Sequence, residues 1–429
     1  METRTLGKSG PQVSLVGLGC NNFGWYIDLD ASRTVVHKAL DAGITLLDTA
    51  DVYGGNGTSE TMLGQILGPR RKDIILATKF GMPMDEAGTK KGASRAYIMS
   101  AVEASLTRLK TDYIDLYQIH GPDPLTPMEE TLRALTDLVA QGKVRTIGCS
   151  NHRAWQVVEA EWISRTKNLQ AFICCQDEYS LLARGPETEL IPAMKSYGLG
   201  LLPYFPLASG LLSGKYKRDQ LPEGARLTKT KRLSDRYMNE TNWAKVEKLQ
   251  DFCAKRGHSL LELAFSWLAA SPVVSSIIAG ATKPGQIEQN IKAVGWKLAP
   301  EDMAEVDRIT KCRSDECRRE ILRLRVPALR ATPKERDTPL RTILTVIGLG
   351  IDADLMVNAL RYYWIIAKGY RLRPWASPYI QWRLETFFGH EAADLDAGKF
   401  FHLMWRERAR MERFLEWVAQ RRAERRSAN

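Results

Sequence analysis

Eight short apolar runs, separated by charged segments of helical period, constrain this chain's fold more than any other feature. They read VSLVGLG (13–19), ITLLD (44–48), IILATK (74–79), YIDLYQIH (113–120), VRTIGCS (144–150), FICCQ (172–176), GLGLLPY (198–204) and SSIIAG (275–280). A continuous apolar run of strand length is buried on both faces, as in a parallel sheet covered by helices. The segments between them supply those helices. In ASRTVVHKALDAG (31–43), Val35, Val36, Ala39 and Leu40 share one face. TPMEETLRALTDLVAQGK (126–143) has Pro127 near its start and Gly142 just past its end. Eight strand–helix units that close on themselves make a (β/α)8 TIM barrel of typically ~250 residues. A doubly wound sheet would carry a GxGxxG turn after its first strand, but Gly17-Leu18-Gly19 is followed by CNNFG (20–24). The opening TRTLGKSGPQVS (3–14) predicts a hairpin, turned between Gly7 and Gly10, that caps the barrel bottom.

At 429 residues the chain holds such a barrel and about a hundred residues more. The strand–helix rhythm stops after Thr310. The predicted division is a barrel over 1–311, an Arg- and Pro-rich linker over 312–341, and a basic, Trp-rich, mainly helical extension over 342–429. Of the net charge of +11, residues from Cys312 onward carry 23 Lys and Arg against 15 Asp and Glu, which leaves the barrel portion nearly neutral. Five of the eleven tryptophans (Trp364, Trp375, Trp382, Trp405 and Trp417) fall in the extension, a density that predicts a packed module.

Seven cysteines with no CxxC spacing predict reduced thiols and a cytoplasmic protein. The adjacent Cys174 and Cys175 should face opposite sides of a strand. No Cys or His set has ligand spacing, so no metal is expected. The N-terminus has no basic-then-apolar leader, and no apolar run reaches the roughly 18–20 residues that cross a bilayer.

Chemistry concentrates at the ends of the runs. DTADVYGGNGTSE (48–60) places Asp48 and Tyr53 where a strand turns into a Gly-rich loop; Lys79 ends the third run and His120 ends the fourth. In a parallel barrel these strand ends share one mouth. The Asp48, Tyr53, Lys79 and His120 set resembles the catalytic tetrad of the aldo-keto reductases, and GTSE (57–60) and GKVRTIGCSN (142–151) continue the likeness. The resemblance covers roughly the first 310 residues. A phenol has an ordinary pKa near ~10, and a nearby ammonium lowers it. Lys79, held by Asp48, would therefore tune Tyr53 as a general acid toward a carbonyl oxygen, with His120 donating a second hydrogen bond. None of the four supplies a hydride, so a cofactor must.

The resemblance also implies where that cofactor binds. Ser150, Asn151 and Gln176 match the clamp on the nicotinamide amide, and Tyr204 matches the aromatic that stacks on the ring. Phe205, Leu207, Ser209 and Lys215 line the pyrophosphate loop, Phe205 standing where many members have serine. Gly280, Thr282, Lys283, Gln286, Gln289 and Asn290 form the adenosine and 2′-phosphate loop. Gln286 replaces a phosphate-binding arginine, and Lys283 could supply the charge, so NADPH is expected and NADH is the alternative. Phe23, Trp25 and Asp177, with the loop 81–88, are candidates for the substrate rim. His152 and the remaining histidines read as packing or surface residues.

The expected function is reduction of a small aldehyde or ketone by NADPH, with Tyr53 as proton donor. The alternative is an NADPH-binding regulatory subunit of low turnover, as some members of this fold family are when attached to channels. Its partner-binding element would then be the extension. Aromatics interleaved with Arg over 370–385 could also contact nucleic acid or an anionic membrane; no named motif supports either. Nothing in the sequence sets an oligomeric state.

Overall fold

The computed structural model describes residues 1–218 and 220–311. The linker and extension expected over 312–429 lie outside the described residues. The chain opens with a hairpin of β1 (Thr3–Thr5) and β2 (Gln12–Ser14), paired antiparallel with Thr3 opposite Ser14. Eight parallel strands follow: β3 (Val16–Gly19), β4 (Leu46–Asp48), β5 (Ile75–Phe80), β6 (Ile114–Ile119), β7 (Val144–Ser150), β8 (Phe172–Glu178), β9 (Gly200–Tyr204) and β10 (Ile277–Gly280). They pair in chain order, and β10 returns to β3. Between β9 and β10 the ring is completed just before the last strand, where Leu201 and Ser275 donate backbone hydrogen bonds to Val273 and Leu201. The result is the (β/α)8 barrel that the apolar runs predict.

The first run differs from its reading as one strand over 13–19. It splits at Leu15, giving one half to the hairpin and the other to the barrel. Ser14 causes the break: its hydroxyl donates to the Val16 carbonyl at 2.7 Å and accepts from the Thr45 amide at 2.9 Å, which turns the backbone between two sheets.

Both helices singled out by pattern are present. One spans Leu29–Asp41, capped by Asp28, with Val35, Val36, Ala39 and Leu40 buried. The other spans Met128–Ala140 and is followed by Gly142 in the left-handed region at φ 73°. Strand residues that face outward pack under these helices in one large core, which contains Cys149 and Cys175. A smaller core fills the barrel itself. Leu46, Ala77, Leu116, Cys174, Leu202 and Ile278 point inward from six strands, and Leu6 and Val13 of the hairpin close the lower end. Cys174 and Cys175 thus face opposite sides, as strand alternation requires. Gly7 lets the hairpin seat closely: at φ 65°, a Cβ there would lie 2.3 Å from the Ile173 carbonyl oxygen.

Leu6 is fully buried at the base of the barrel. Truncation there leaves a cavity that neighbouring strands cannot collapse into, so Leu6→Ala should lower the unfolding free energy by about 2–5 kcal/mol. Urea denaturation followed by circular dichroism measures this, and an unchanged midpoint would mean that the hairpin does not plug the barrel.

Candidate active site

Two residues beyond the inward apolar layer, the same faces of the strands carry polar groups. Leu46 leads to Asp48, Ala77 to Lys79, Leu116 to Gln118 and Cys174 to Gln176, as a side-chain period of two dictates. On β7 the inner place belongs to Gly148, where a Cβ would lie 2.8 Å from Cys174 Sγ, and Ser150 follows. The upper layer of the barrel is thereby polar, and all of it faces the mouth at the strands' C-terminal ends.

Lys79 is fully buried and donates from Nζ to Asp48 Oδ2 at 2.7 Å, to the Thr49 carbonyl at 2.8 Å and to the Tyr53 hydroxyl at 3.4 Å. Asp48 Oδ1 accepts from Gln176 Nε2 at 2.8 Å and from Gln118 Nε2 at 3.3 Å. His120 meets the Tyr53 ring edge-on, with centroids 5.6 Å apart. Its carbonyl accepts from Asn151 Nδ2 at 2.9 Å, and Asn151 Oδ1 accepts from the Tyr204 hydroxyl at 2.7 Å. The four residues read as a tetrad from sequence therefore lie within one connected cluster.

The electrostatics correct one expectation. Burial pushes the Tyr53 pKa above 10, and the opposing pull of Lys79 does not overcome it. Tyr53 is thus a neutral phenol whose oxygen accepts from an ammonium, which leaves its own O–H free to donate. Burial alone would lower the Lys79 pKa, but Asp48 and Tyr53 outweigh it and hold the amine above its ordinary value. His120 is held down to about 3 by burial, with Lys79 adding to the effect, so its ring is neutral. A neutral phenol and a neutral imidazole can donate hydrogen bonds to one oxygen that gains negative charge, while the ammonium stays on the phenol oxygen.

A cleft of about 670 Å³ runs from this cluster across the mouth, within the range of small-molecule sites. Its lining includes Ser150, Asn151, Gln176, Tyr204, Phe205, Leu207, Ser209, Lys215, Gly280, Thr282, Lys283 and Gln286, together with Asp48, Tyr53 and His120. These residues fit a dinucleotide. Ser209 Oγ and Arg226 Nε on the cleft wall are buried with no hydrogen-bond partner among the described residues, and Gly19 and Gly280 pair side by side at the mouth without side chains. The wall is also held in strained backbone: Asn151, Phe205, Ala208 and Ser209 adopt φ of 60°, 50°, 46° and 58°. Non-glycine residues in this region cost of order 1–3 kcal/mol each and cluster where a ligand is clamped.

Other candidates fall elsewhere. Gln289 is exposed and Asn290 buried, both on the helix Pro284–Lys292 and both outside the cleft lining. Gln286 lines the cleft, but its Oε1 accepts from the Thr282 and Lys283 amides and so ties the start of that helix. Asp177 is half-buried and also outside the lining, with its carboxyl raised to about 6 by burial. Phe23 is wholly buried, whereas Trp25 is 52% exposed with its ring centroid 6.1 Å from that of Tyr53. His152 is buried and packs as read. Sequence reasoning missed Gln118 and Arg226. Gln118 was discoverable, because it lies two residues from both Leu116 and His120 on one strand. Arg226 opens the helix Arg226–Lys229, which is too short to show a period, and its guanidinium lies 5.4 Å from each of the rings of Tyr26 and Phe205.

Among the described residues no group of His, Cys, Asp and Glu could hold a metal ion, and no helix is long and apolar enough to cross a membrane. Comparison with known proteins agrees with the geometry. The model of the Aldo/keto reductase family matches residues 15–311. A "probable voltage-gated potassium channel subunit beta" of Oryza sativa is 36% identical over 320 residues, which is 72% of this chain and 97% of that protein. An uncharacterized oxidoreductase of Bacillus subtilis, YrpG, is 35% identical over 70% of this chain and 93% of its own length. The L-glyceraldehyde 3-phosphate reductase of Escherichia coli is 32% identical over 72% of this chain and 92% of its own length.

Two buried imidazoles make the fold sensitive to acid. Burial holds His120 down to about 3 and His152 down to about 4, against an ordinary value of 6.5. Between those values the unfolded chain binds protons that the folded chain does not, so stability falls as pH drops below 6.5. His120→Gln removes one such group, and the loss of urea midpoint from about pH 7 to about pH 4 should be smaller than in the parent. Equal losses would show that His120 is not held neutral.

Proposed function

This chain belongs to the aldo/keto reductase family, and from that premise we propose that it reduces an aldehyde or ketone to an alcohol with NADPH, Tyr53 giving the proton. One observation carries the reading: the Lys79 ammonium lies 3.4 Å from the Tyr53 hydroxyl at the edge of the cleft. Ser150, Asn151 and Gln176 would hold the nicotinamide amide and Tyr204 the ring. Leu207, Ser209, Lys215 and Arg226 would hold the pyrophosphate, with Thr282 and Lys283 at the 2′-phosphate. When bound there, the dihydronicotinamide supplies the hydride.

The chain's own groups manage the proton. Tyr53 keeps its proton in the resting site and points it away from Lys79, toward a carbonyl oxygen. As the proton leaves, negative charge grows on the phenol oxygen beside a fixed ammonium. Lys79 therefore acts most strongly in the transition state, which is where stabilisation raises a rate. Asp48 keeps Lys79 charged and in register. His120, neutral, donates a second hydrogen bond that fixes the angle of the carbonyl.

The relatives named as potassium channel beta subunits favour a second reading. Here the chain would bind NADPH with little turnover, and residues 342–429 would engage a partner. Steady-state NADPH oxidation with simple aldehydes separates the two: rapid turnover supports the enzyme, and tight binding with negligible turnover supports the subunit.

Tyr53→Phe should cut carbonyl reduction by about 10²–10⁴ while NADPH affinity changes less than about twofold. Fluorescence titration and stopped-flow reduction measure both, and near-parental activity would remove Tyr53 from its role. Lys283→Ala deletes one charge-assisted contact. It should raise the KM for NADPH roughly tenfold and leave that for NADH unchanged; equal effects on both cofactors would place the 2′-phosphate elsewhere.

A further inference from the structure

The stretch GTSE (57–60) lies outside the cleft lining, yet it ends the loop that carries Tyr53. Glu60 is wholly buried in the first turn of the helix Thr58–Ile66. Its Oε1 accepts from the Thr78 hydroxyl at 2.5 Å, and its Oε2 accepts from Arg108 Nε at 2.7 Å. Thr78 directly precedes Lys79 on β5. Strand alternation turns Lys79 toward the cleft and Thr78 away from it, under the helices. The Glu60 carboxylate therefore grips, from behind, the strand that carries the ammonium.

The same stretch holds the Tyr53 loop. The Ser59 amide donates to the Tyr53 carbonyl at 3.1 Å, and the Ser59 hydroxyl donates to the Cys20 carbonyl at 2.9 Å. Ser59 thus fixes the phenol's side of the pair, and Thr78 leads to the amine's side. Glu60, adjacent to one and bonded to the other, spans both. Two glycines set its seat: a Cβ would lie 2.3 Å from Arg108 Nε at Gly57 (φ 82°) and 2.2 Å from the Arg108 carbonyl oxygen at Gly64. Arg108 accordingly crosses the end of the loop at contact distance to reach Glu60. A carboxylate with no solvent keeps its place only while its oxygens stay paired. The contact it would govern is a sensitive one. At 3.4 Å the bond from Lys79 to Tyr53 is near the limit of hydrogen-bonding reach, so a small shift of either residue ends it.

We infer that Glu60 is a positioning residue, which through Thr78 sets the separation between the Lys79 ammonium and the Tyr53 hydroxyl. This rests on the reductase reading above. Thr78→Val keeps the side chain's shape and removes its donor. With propanal and saturating NADPH, kcat should fall about tenfold, the scale of one hydrogen bond to a charged group. The KM for propanal and the Kd for NADPH should change less than about twofold. Thr78→Ser returns the donor and should recover most of kcat. If the valine variant does not fold, Thr78→Ala carries the same test. Parental kcat without the hydroxyl, a loss that serine does not restore, or a matching rise in KM and Kd overturns the inference. A crystal structure of Thr78→Val adds a readout without turnover: Lys79 Nζ and Tyr53 Oη should stand beyond hydrogen-bonding reach, and the parental separation rejects the inference. If the parent reduces no aldehyde, the reductase reading fails, and that separation alone decides whether Glu60 sets the pair.

Discussion

A carboxylate and an ammonium buried together, Asp48 and Lys79, are the contact from which the rest of the site is built. Taking two such charges out of water costs several kcal/mol each, and their attraction repays that only when every donor and acceptor around them is used. Here they are. The three N–H bonds of Lys79 go to Asp48, the Thr49 carbonyl and Tyr53. The second oxygen of Asp48 takes amide donors from Gln118 and Gln176. One carboxylate therefore ties together side chains from β4, β5, β6 and β8. The polar upper layer is stable because it is shared among strands, and because the apolar layer beneath keeps water from competing.

That arrangement explains which parts of the molecule were legible in the sequence. Strand positions obey a period of two. Once 113–120 is taken as a strand that ends at the mouth, His120 follows, and Gln118 should have followed with it. Asp48 and Lys79 were readable for the same reason. Positions set by one side chain's hydrogen bonds were not. Ser14 breaks an apolar run that looks continuous, and nothing in the run itself announces the break. The helix Arg226–Lys229 is too short to show a period, so Arg226 gave no signal. Phe23 and Trp25 looked alike on paper as aromatics near a strand end; only the fold makes one a buried anchor and leaves the other half-exposed. The helix Pro284–Lys292 shows the same limit, since Gln286 works as a backbone tether where a ligand contact was expected.

The tyrosine also corrects a habit of thought. A neighbouring cation invites the conclusion that a phenol is half ionised at rest. In this site burial acts on the same group with the opposite sign and prevails. The consequence is favourable to acid chemistry: the proton is present at neutral pH, and the ammonium's attraction is reserved for the moment when charge appears on oxygen. Orientation supports this, because Lys79 occupies a lone pair of the hydroxyl and leaves the hydrogen to point at whatever enters the cleft.

The hairpin plug has its own consequence for traffic. Leu6 and Val13 stopper the lower end, and above them come Leu46, Ala77, Leu116, Cys174, Leu202 and Ile278, where the sole titratable group is the Cys174 thiol, which burial holds protonated. The barrel is a well with a dry floor. On the proposed reading, a phenolate formed at Tyr53 would be recharged by solvent descending through the same opening that admits the reactants. Departure of an alcohol and resetting of the acid would then share one passage, and whatever narrows that passage would slow both.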